Sequence, residues 1–221
     1  KLIDFLFVPS IIDKKRFFDN GLRKHSLIKF DGMKEDLYVA NYKPDPNFLD
    51  KLPFDDFVTI RPESLQAVYN EGVGNSIVPE LIKLFQSKNI NILYLPRYKS
   101  DFNYVSDYKG VFIPDKPLNG LDVCYYSKLV MTGAGTFSRE CVSMGKKAVS
   151  FFPGNKLLEI DQNLVSKKLV LHSRNPLEIL NFYLDQNQPK TNFVKAKKVQ
   201  KSFLKKMSFL LTEISQRQKL Q

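Results

Sequence analysis

The chain has 221 residues, 43% of them hydrophobic, and a formal net charge of +11. That length supports a sizeable buried core, in one large domain or in one domain plus part of a second. No apolar run approaches the roughly 18 residues needed to cross a bilayer as a helix, and no signal-peptide succession occurs within it; the expectation is a soluble, cytoplasmic protein.

The charge could point to nucleic acid, yet much of it sits at one end. From Lys190 onward, Lys190, Lys195, Lys197, Lys198, Lys201, Lys205, Lys206, Arg217 and Lys219 face a single acid, Glu213. The excess belongs to the tail, and a nucleic-acid partner is not expected. Cys124 and Cys141 fall within helical patterns without CxxC or Cys/His spacing, so they read as reduced core thiols rather than a disulfide or a metal site.

The chain opens at Lys1 inside a strand pattern (Leu2 to Val8), as expected of the later portion of a longer protein. A helix follows from Asp13 as N-cap through Phe17 and Phe18 to a stop at Asn20-Gly21. A short strand, SLIKF, runs into Asp31-Gly32, and KPDPNFLDKLP is a proline-punctuated connection of the kind found at domain seams. Residues 1–52 therefore read as the end of one domain and a hinge.

From residue 53 to 189 the pattern is regular. DFVTIRP is a strand, and SIVPELIKLFQSK a helix with Ile77, Leu81, Leu84 and Phe85 on one face. INILYLPR and GVFIPD are strands, and LNGLDVCYYS a helix. A strand at Leu129 to Met131, a glycine turn, a helix opening at Thr136 and a strand at Ala148 to Phe152 come next. NKLLEIDQNLVSKKL is helical, LVLHS a strand, and NPLEILNFYLDQ a helix with Asn175 and Pro176 at the cap and first turn. Strands alternating with amphipathic helices require a Rossmann-like, doubly wound, mostly parallel α/β sheet. Residues 190–221 hold a basic C-terminal helix, with Val199, Phe203, Met207, Leu210, Leu211 and Ile214 at helical spacing, read as packing back on the body.

The glycine turn, Gly133-Ala134-Gly135, lies between a strand and a helix, where backbone can approach a ligand and free N–H groups face an anion. It is not a dinucleotide fingerprint, since Ser138 stands at the third glycine and no acid ends the next strand. No GKS or GKT follows, so it is not a P-loop either. Doubly wound sheets bind ligands at the carboxyl ends of their strands. Arg61 and Arg97 both follow strands, and two guanidinium groups beside a helix start suit a diphosphate. Glu140, one helical turn beyond Thr136, is placed either to accept from ribose hydroxyls or to act only as a dipole partner.

The succession LVMTGAGTFSRECVSMGKKAVSFFPG, then EIDQNLVSKKLV, resembles the nucleotide-sugar-binding C-terminal half of GT-B glycosyltransferases and UDP-N-acetylglucosamine 2-epimerases. It is most similar to an archaeal family of uncharacterised proteins on that scaffold, over about residues 1 to 185. The resemblance implies that Gly133, Ala134, Gly135 and Thr136 cradle a diphosphate and that Glu140 binds ribose, while Arg61 and Arg97 are added as diphosphate ligands from their positions after strands. It implies a base-contacting loop at Phe112, Ile113 and Pro114, and a sugar contact from Asp161 and Gln162.

Two departures qualify it. The epimerases follow the corresponding first strand with a histidine, where this chain has Arg61; its own histidines, His25 and His172, lie elsewhere and read as ordinary loop and strand-end residues. Most of the acceptor-binding domain of the resembled fold is absent, leaving catalytic residues unassigned. The expectation is thus the donor-binding part of a GT-B-like glycosyltransferase using a UDP-linked sugar as substrate, with no metal and no separate cofactor. Its acceptor is left unassigned, a lipid-linked molecule and a polysaccharide being the candidates, and peripheral contact with a membrane is compatible with either. The alternatives are an epimerase or hydrolase of UDP-sugars, and a non-catalytic module whose basic helix docks on an anionic membrane or polyanion.

Overall fold

The computed structural model describes residues 4–65, 75–105, 108–185 and 189–219. The chain divides into two compact units, Lys43–Asn192 and, separately, Lys1–Tyr42 with Phe193–Gln221.

The larger unit is a six-stranded parallel sheet, β3 (Val58–Arg61), β4 (Ile92–Tyr94), β5 (Val111–Phe112), β6 (Val130–Thr132), β7 (Ala148–Ser150) and β8 (Val170–His172). Its spatial order is β5-β4-β3-β6-β7-β8, so the chain winds outward from β3 to one side, returns to the centre at β6 and winds to the other. The doubly wound fold expected from the alternating pattern is the one observed.

Alternation along the strands divides the core between the two faces. Val58 and Ile60 of β3, with Ile92, Tyr94 and Met131, pack against α3 (Val78–Gln86) and α7 (Pro176–Leu184) through Leu81, Phe85, Ile179 and Leu180. On the opposite face Phe57 and Leu93 meet Phe48 and Val123, the latter from α4 (Gly120–Tyr126). Asn175 caps α7 as its sequence predicts, Oδ1 accepting from the N–H groups of Leu177 and Glu178 at 2.9 and 3.4 Å. The end of α4 is closed by Lys146, whose Nζ donates to the carbonyls of Cys124 and Tyr125 at 2.7 and 2.8 Å and to that of Ser127. Burial holds the Lys146 amine below its ordinary range. Cys124 and Cys141 are both buried and unpaired, as expected of core thiols.

The smaller unit has two parallel strands, β1 (Leu6–Pro9) and β2 (Leu27–Phe30), joined through α1 (Lys15–Asp19). The N-cap position of α1 is Lys14 rather than the expected Asp13, whose Oδ1 accepts from Lys15 N–H at 2.9 Å one residue ahead of it. A six-residue helix not foreseen from sequence, α2 (Lys34–Val39), follows Gly32 and packs on α8 (Val194–Lys219). Asp36 of α2 accepts from the N–H of Met33 at 2.8 Å and faces Lys195 of α8 at 3.6 Å. Phe203 of α8 meets Phe7 and Phe30 at centroid distances of 4.8 and 5.2 Å. The C-terminal helix therefore packs part of its apolar stripe, Val199 and Phe203, within the smaller unit, whereas Leu211 of the same stripe is 55% exposed.

Candidate functional site

The winding reverses between β3 and β6, and at such a point doubly wound sheets take ligands in the crevice outside the carboxyl ends of their strands. Arg61 ends β3 and pairs in register with Thr132, the last residue of β6. Gly133 N–H donates to Arg61 O at 3.0 Å, and Ala134 N–H to Thr132 Oγ1 at 3.1 Å. The next residue opens α5 (Gly135–Ser143), one position earlier than the sequence suggests. Its N-cap, Ala134, is extended at φ −145° and ψ 149° and offers no side-chain cap, so the positive end of α5 faces the crevice. The Arg61 guanidinium lies 5.2 Å from the centre of the Phe137 ring, which holds the cation against the first turn of α5.

The two glycines serve the protein itself. A Cβ on Gly133 would come within 2.4 Å of Glu63 Cα and 2.6 Å of Glu63 N, so this position lets the turn press against the backbone that follows β3. A Cβ on Gly135 would lie 2.7 Å from Arg139 Nη1 and 3.0 Å from Asp161 Oδ2. Both contacts are made by neighbouring residues, where the sequence alone attributes the glycines to close approach by a ligand.

Arg139 and Asp161 form the most buried ion pair of the site. Arg139 Nη1 reaches both carboxylate oxygens of Asp161 at 3.1 Å, the two side chains being 10% and 13% exposed. Arg139 Nη2 also donates to Thr136 Oγ1 at 3.4 Å. Burial pushes the Asp161 carboxyl above its ordinary range, against the opposing pull of Arg139 and a smaller one from His172. The pair lines a cavity of about 630 Å³ bounded by Ala134, Gly135, Ser150, Phe152 and the 154–158 loop. That loop, expected to be helical from Asn155, stays irregular up to Leu158, and α6 (Glu159–Ser166) begins behind it.

Other expected residues are distributed differently. Gln162 is exposed and outside the cavity, its amide donating to Leu157 O at 2.9 Å; it is thus separated from Asp161, with which it was paired as a sugar contact. Arg97 donates from Nε to Pro62 O at 2.7 Å and from its backbone N–H to Asp101 at 2.8 Å, so it fastens the loop after β4 to the loop after β3. Glu140 is half-buried on α5, one turn beyond Thr136. Phe112 packs into the core on one face of the sheet and Ile113 on the other, leaving the backbone of 112–114 as the part a base could meet. Among the described residues no group of three or more His, Cys, Asp or Glu is placed to hold a metal ion. His172 Nδ1–H donates to Ser150 O at 3.0 Å, an ordinary strand-edge contact. His25 lines a larger cavity, about 930 Å³, in the smaller unit, which contains none of the expected site residues.

Three residues were missed in sequence. Glu63 is fully buried and accepts from Ser76 Oγ at 2.6 Å, Ile77 N–H at 3.3 Å and Arg174 Nη1 at 2.9 Å. Arg174 also donates to the carbonyls of Phe151 and Asn75 at 3.0 and 2.9 Å, tying together the loops after β3, β7 and β8. It stands at a strand's carboxyl end as Arg61 and Arg97 do, so the same positional rule reaches it. Arg139 belongs to the Arg-Glu helix already singled out for Glu140.

Comparison with known proteins agrees with this architecture. The chain is 28% identical over 196 residues to an uncharacterised protein of Methanocaldococcus jannaschii, covering 83% of this chain and 55% of that one. It thus spans about half the length of the curated relative it matches. A UDP-GlcNAc 2-epimerase of the same organism, solved in complex with UDP-GlcNAc and UDP, aligns with a TM-score of 0.57 at 14% identity, over 91% of this chain and 61% of the other. A glycotransferase of kitacinnamycin aligns with a TM-score of 0.54 at 10% identity, over 90% and 51% respectively. At these identities the likeness is one of fold, and the fold is GT-B-like. A profile described as "Protein of unknown function (DUF354)" matches residues 1–209, and the chain belongs to that family.

Proposed function

We propose that the larger unit is the donor-binding part of a GT-B-like glycosyltransferase and takes the diphosphate and ribose of a UDP-linked sugar. The observation that carries this reading is the uncapped N-terminus of α5 at the reversal point of the sheet, with Arg61 stacked on Phe137 beside it. A diphosphate there would receive backbone N–H donors, the positive end of a helix dipole and a guanidinium. The same groups would stabilise the diphosphate as a leaving group, because fixed donors need no reorganisation as charge develops. Glu140, half-buried one turn further along α5, would accept from the ribose hydroxyls, and the backbone of 112–114 would meet the base.

Transfer is favoured over epimerisation by Arg61, which stands where the resemblance to the epimerases implies a histidine. The attacking hydroxyl would belong to the acceptor, and no residue of the larger unit is assigned as its general base. Titration calorimetry with UDP, GDP and CMP tests the reading. UDP is expected to bind with a Kd below about 1 mM, equivalent to about −4 kcal/mol, and absence of heat with all three would overturn it.

A further inference from the structure

The Arg139–Asp161 pair is unusually placed for a merely structural ion pair. It sits where two helix N-termini without side-chain caps, those of α5 and α6, border one cavity of about 630 Å³. Gly135 is kept without a side chain so that Arg139 Nη1 and Asp161 Oδ2 can lie within 2.7 and 3.0 Å of where its Cβ would be. Asp161 thus places a carboxylate against the first turn of α5, on an arginine whose residue is only 8% exposed. Nη1 of Arg139 is shared by both oxygens of Asp161 while Nη2 reaches Thr136 Oγ1 at 3.4 Å, so both guanidinium nitrogens lie beside the first turn of α5, where phosphate oxygens could take the place of the carboxylate.

We propose that Arg139 is a ligand for one phosphate of a diphosphate ester in this cavity, and that Asp161 is an internal stand-in anion which a diphosphate displaces. This rests on the reading of the unit as a diphosphate site and assigns two residues in it. Arg139 exchanges one pair of acceptor oxygens for another, while the carboxylate freed by the exchange opposes the incoming charge until it is protonated or turned away. Among the described residues, the charged or titratable groups that act on Asp161 are Arg139 from α5 and His172 from β8, and Lys156 lines the same cavity. The exchange should therefore become easier as pH falls through the titration of Asp161, which burial holds above the ordinary aspartate value of 3.8.

The probe is inorganic pyrophosphate, titrated calorimetrically into the wild-type chain, Asp161→Asn, Arg139→Gln and Arg139→Lys. Asp161→Asn is expected to tighten binding about tenfold at about pH 8, the size of effect expected when one like charge at close range is removed. Arg139→Gln is expected to weaken it about tenfold, with partial recovery in Arg139→Lys, which keeps the charge and loses the fork. Taking the ratio of wild-type to Asp161→Asn affinity cancels the titration of pyrophosphate itself, and that ratio should rise toward one as pH falls through the titration of Asp161. Thermal unfolding of each variant separates loss of binding from loss of fold. If pyrophosphate binds but Asp161→Asn weakens it or leaves it unchanged while remaining folded, the exchange is overturned and diphosphate binding survives. If neither pyrophosphate nor UDP binds the folded wild type, both readings fall.

Discussion

Arg174 reaches from the loop after β8 to Glu63 in the loop after β3, at 2.9 Å and across 111 residues of sequence. It thereby fixes one end of the crevice from the far side of the sheet. Glu63 is enclosed and its side chain has no exposure, so the pair is a constraint on loop position as much as a source of attraction. Removing the cation alone strands a buried carboxylate, and Arg174→Met is expected to destabilise the fold by about 3 kcal/mol. Urea denaturation checks this. A double-mutant cycle with Glu63→Gln should recover part of the loss, because the second change removes the stranded charge.

The glycine turn makes a graded claim. Gly133→Ala would push a methyl into Glu63 backbone, which cannot yield without moving the loop after β3. Gly135→Ala meets the ends of two side chains, which can turn aside. The first is expected to cost about 3 kcal/mol and the second about 1 kcal/mol, in the range found for overpacked interiors. Denaturation midpoints of the two variants measured together check the order, and equal costs would contradict it.

Asp161 should leave a mark on stability as well as on binding. Its folded-state titration lies above the unfolded value of 3.8, through burial first and against the pull of Arg139. Between those two values the folded chain holds a proton that the unfolded chain has lost, so this residue's contribution is present below the unfolded value and is lost as pH rises through the folded one. Relative to Asp161→Asn, wild-type unfolding free energy is expected to fall as pH rises across that window and then level off. Parallel profiles for the two proteins would contradict the assignment.

Glu140 separates the sugar-ring reading from the phosphate reading. If it receives ribose hydroxyls, Glu140→Ala should weaken UDP by about tenfold, the scale of one or two hydrogen bonds to a charged group. Pyrophosphate, which has no ribose, should be nearly unaffected. Calorimetry with the two ligands on one variant checks this, and equal losses would remove Glu140 from the ribose.

Much of the larger unit was legible because its strands are short apolar runs between amphipathic helices, and Asn175-Pro176 announces α7 by the residues that form its cap. The location of the crevice followed from the same alternation. Other features were hidden for physical reasons. Helix α2 is a single turn and a half whose acids, Glu35 and Asp36, are buried, so hydrophobic periodicity did not mark it. The Glu63–Arg174 and Arg139–Asp161 pairs depend on contacts across 111 and 22 residues, and sequence spacing carries no trace of either. Arg97 had the right position for an anion ligand, but its Nε is committed to Pro62 O. The glycine turn was found correctly and explained incompletely, because what crowds Gly133 is Glu63, a residue distant in sequence.

The central claim concerns where a diphosphate lies, so a crystal structure with UDP bound at a concentration that saturates the calorimetric titration tests it most directly. The expected result is the diphosphate at the first turn of α5, within about 3 Å of the backbone N–H groups that follow Ala134, with the Arg61 guanidinium beside it and the ribose toward Glu140. UDP seated elsewhere, as in the 930 Å³ cavity of the smaller unit, would contradict the account.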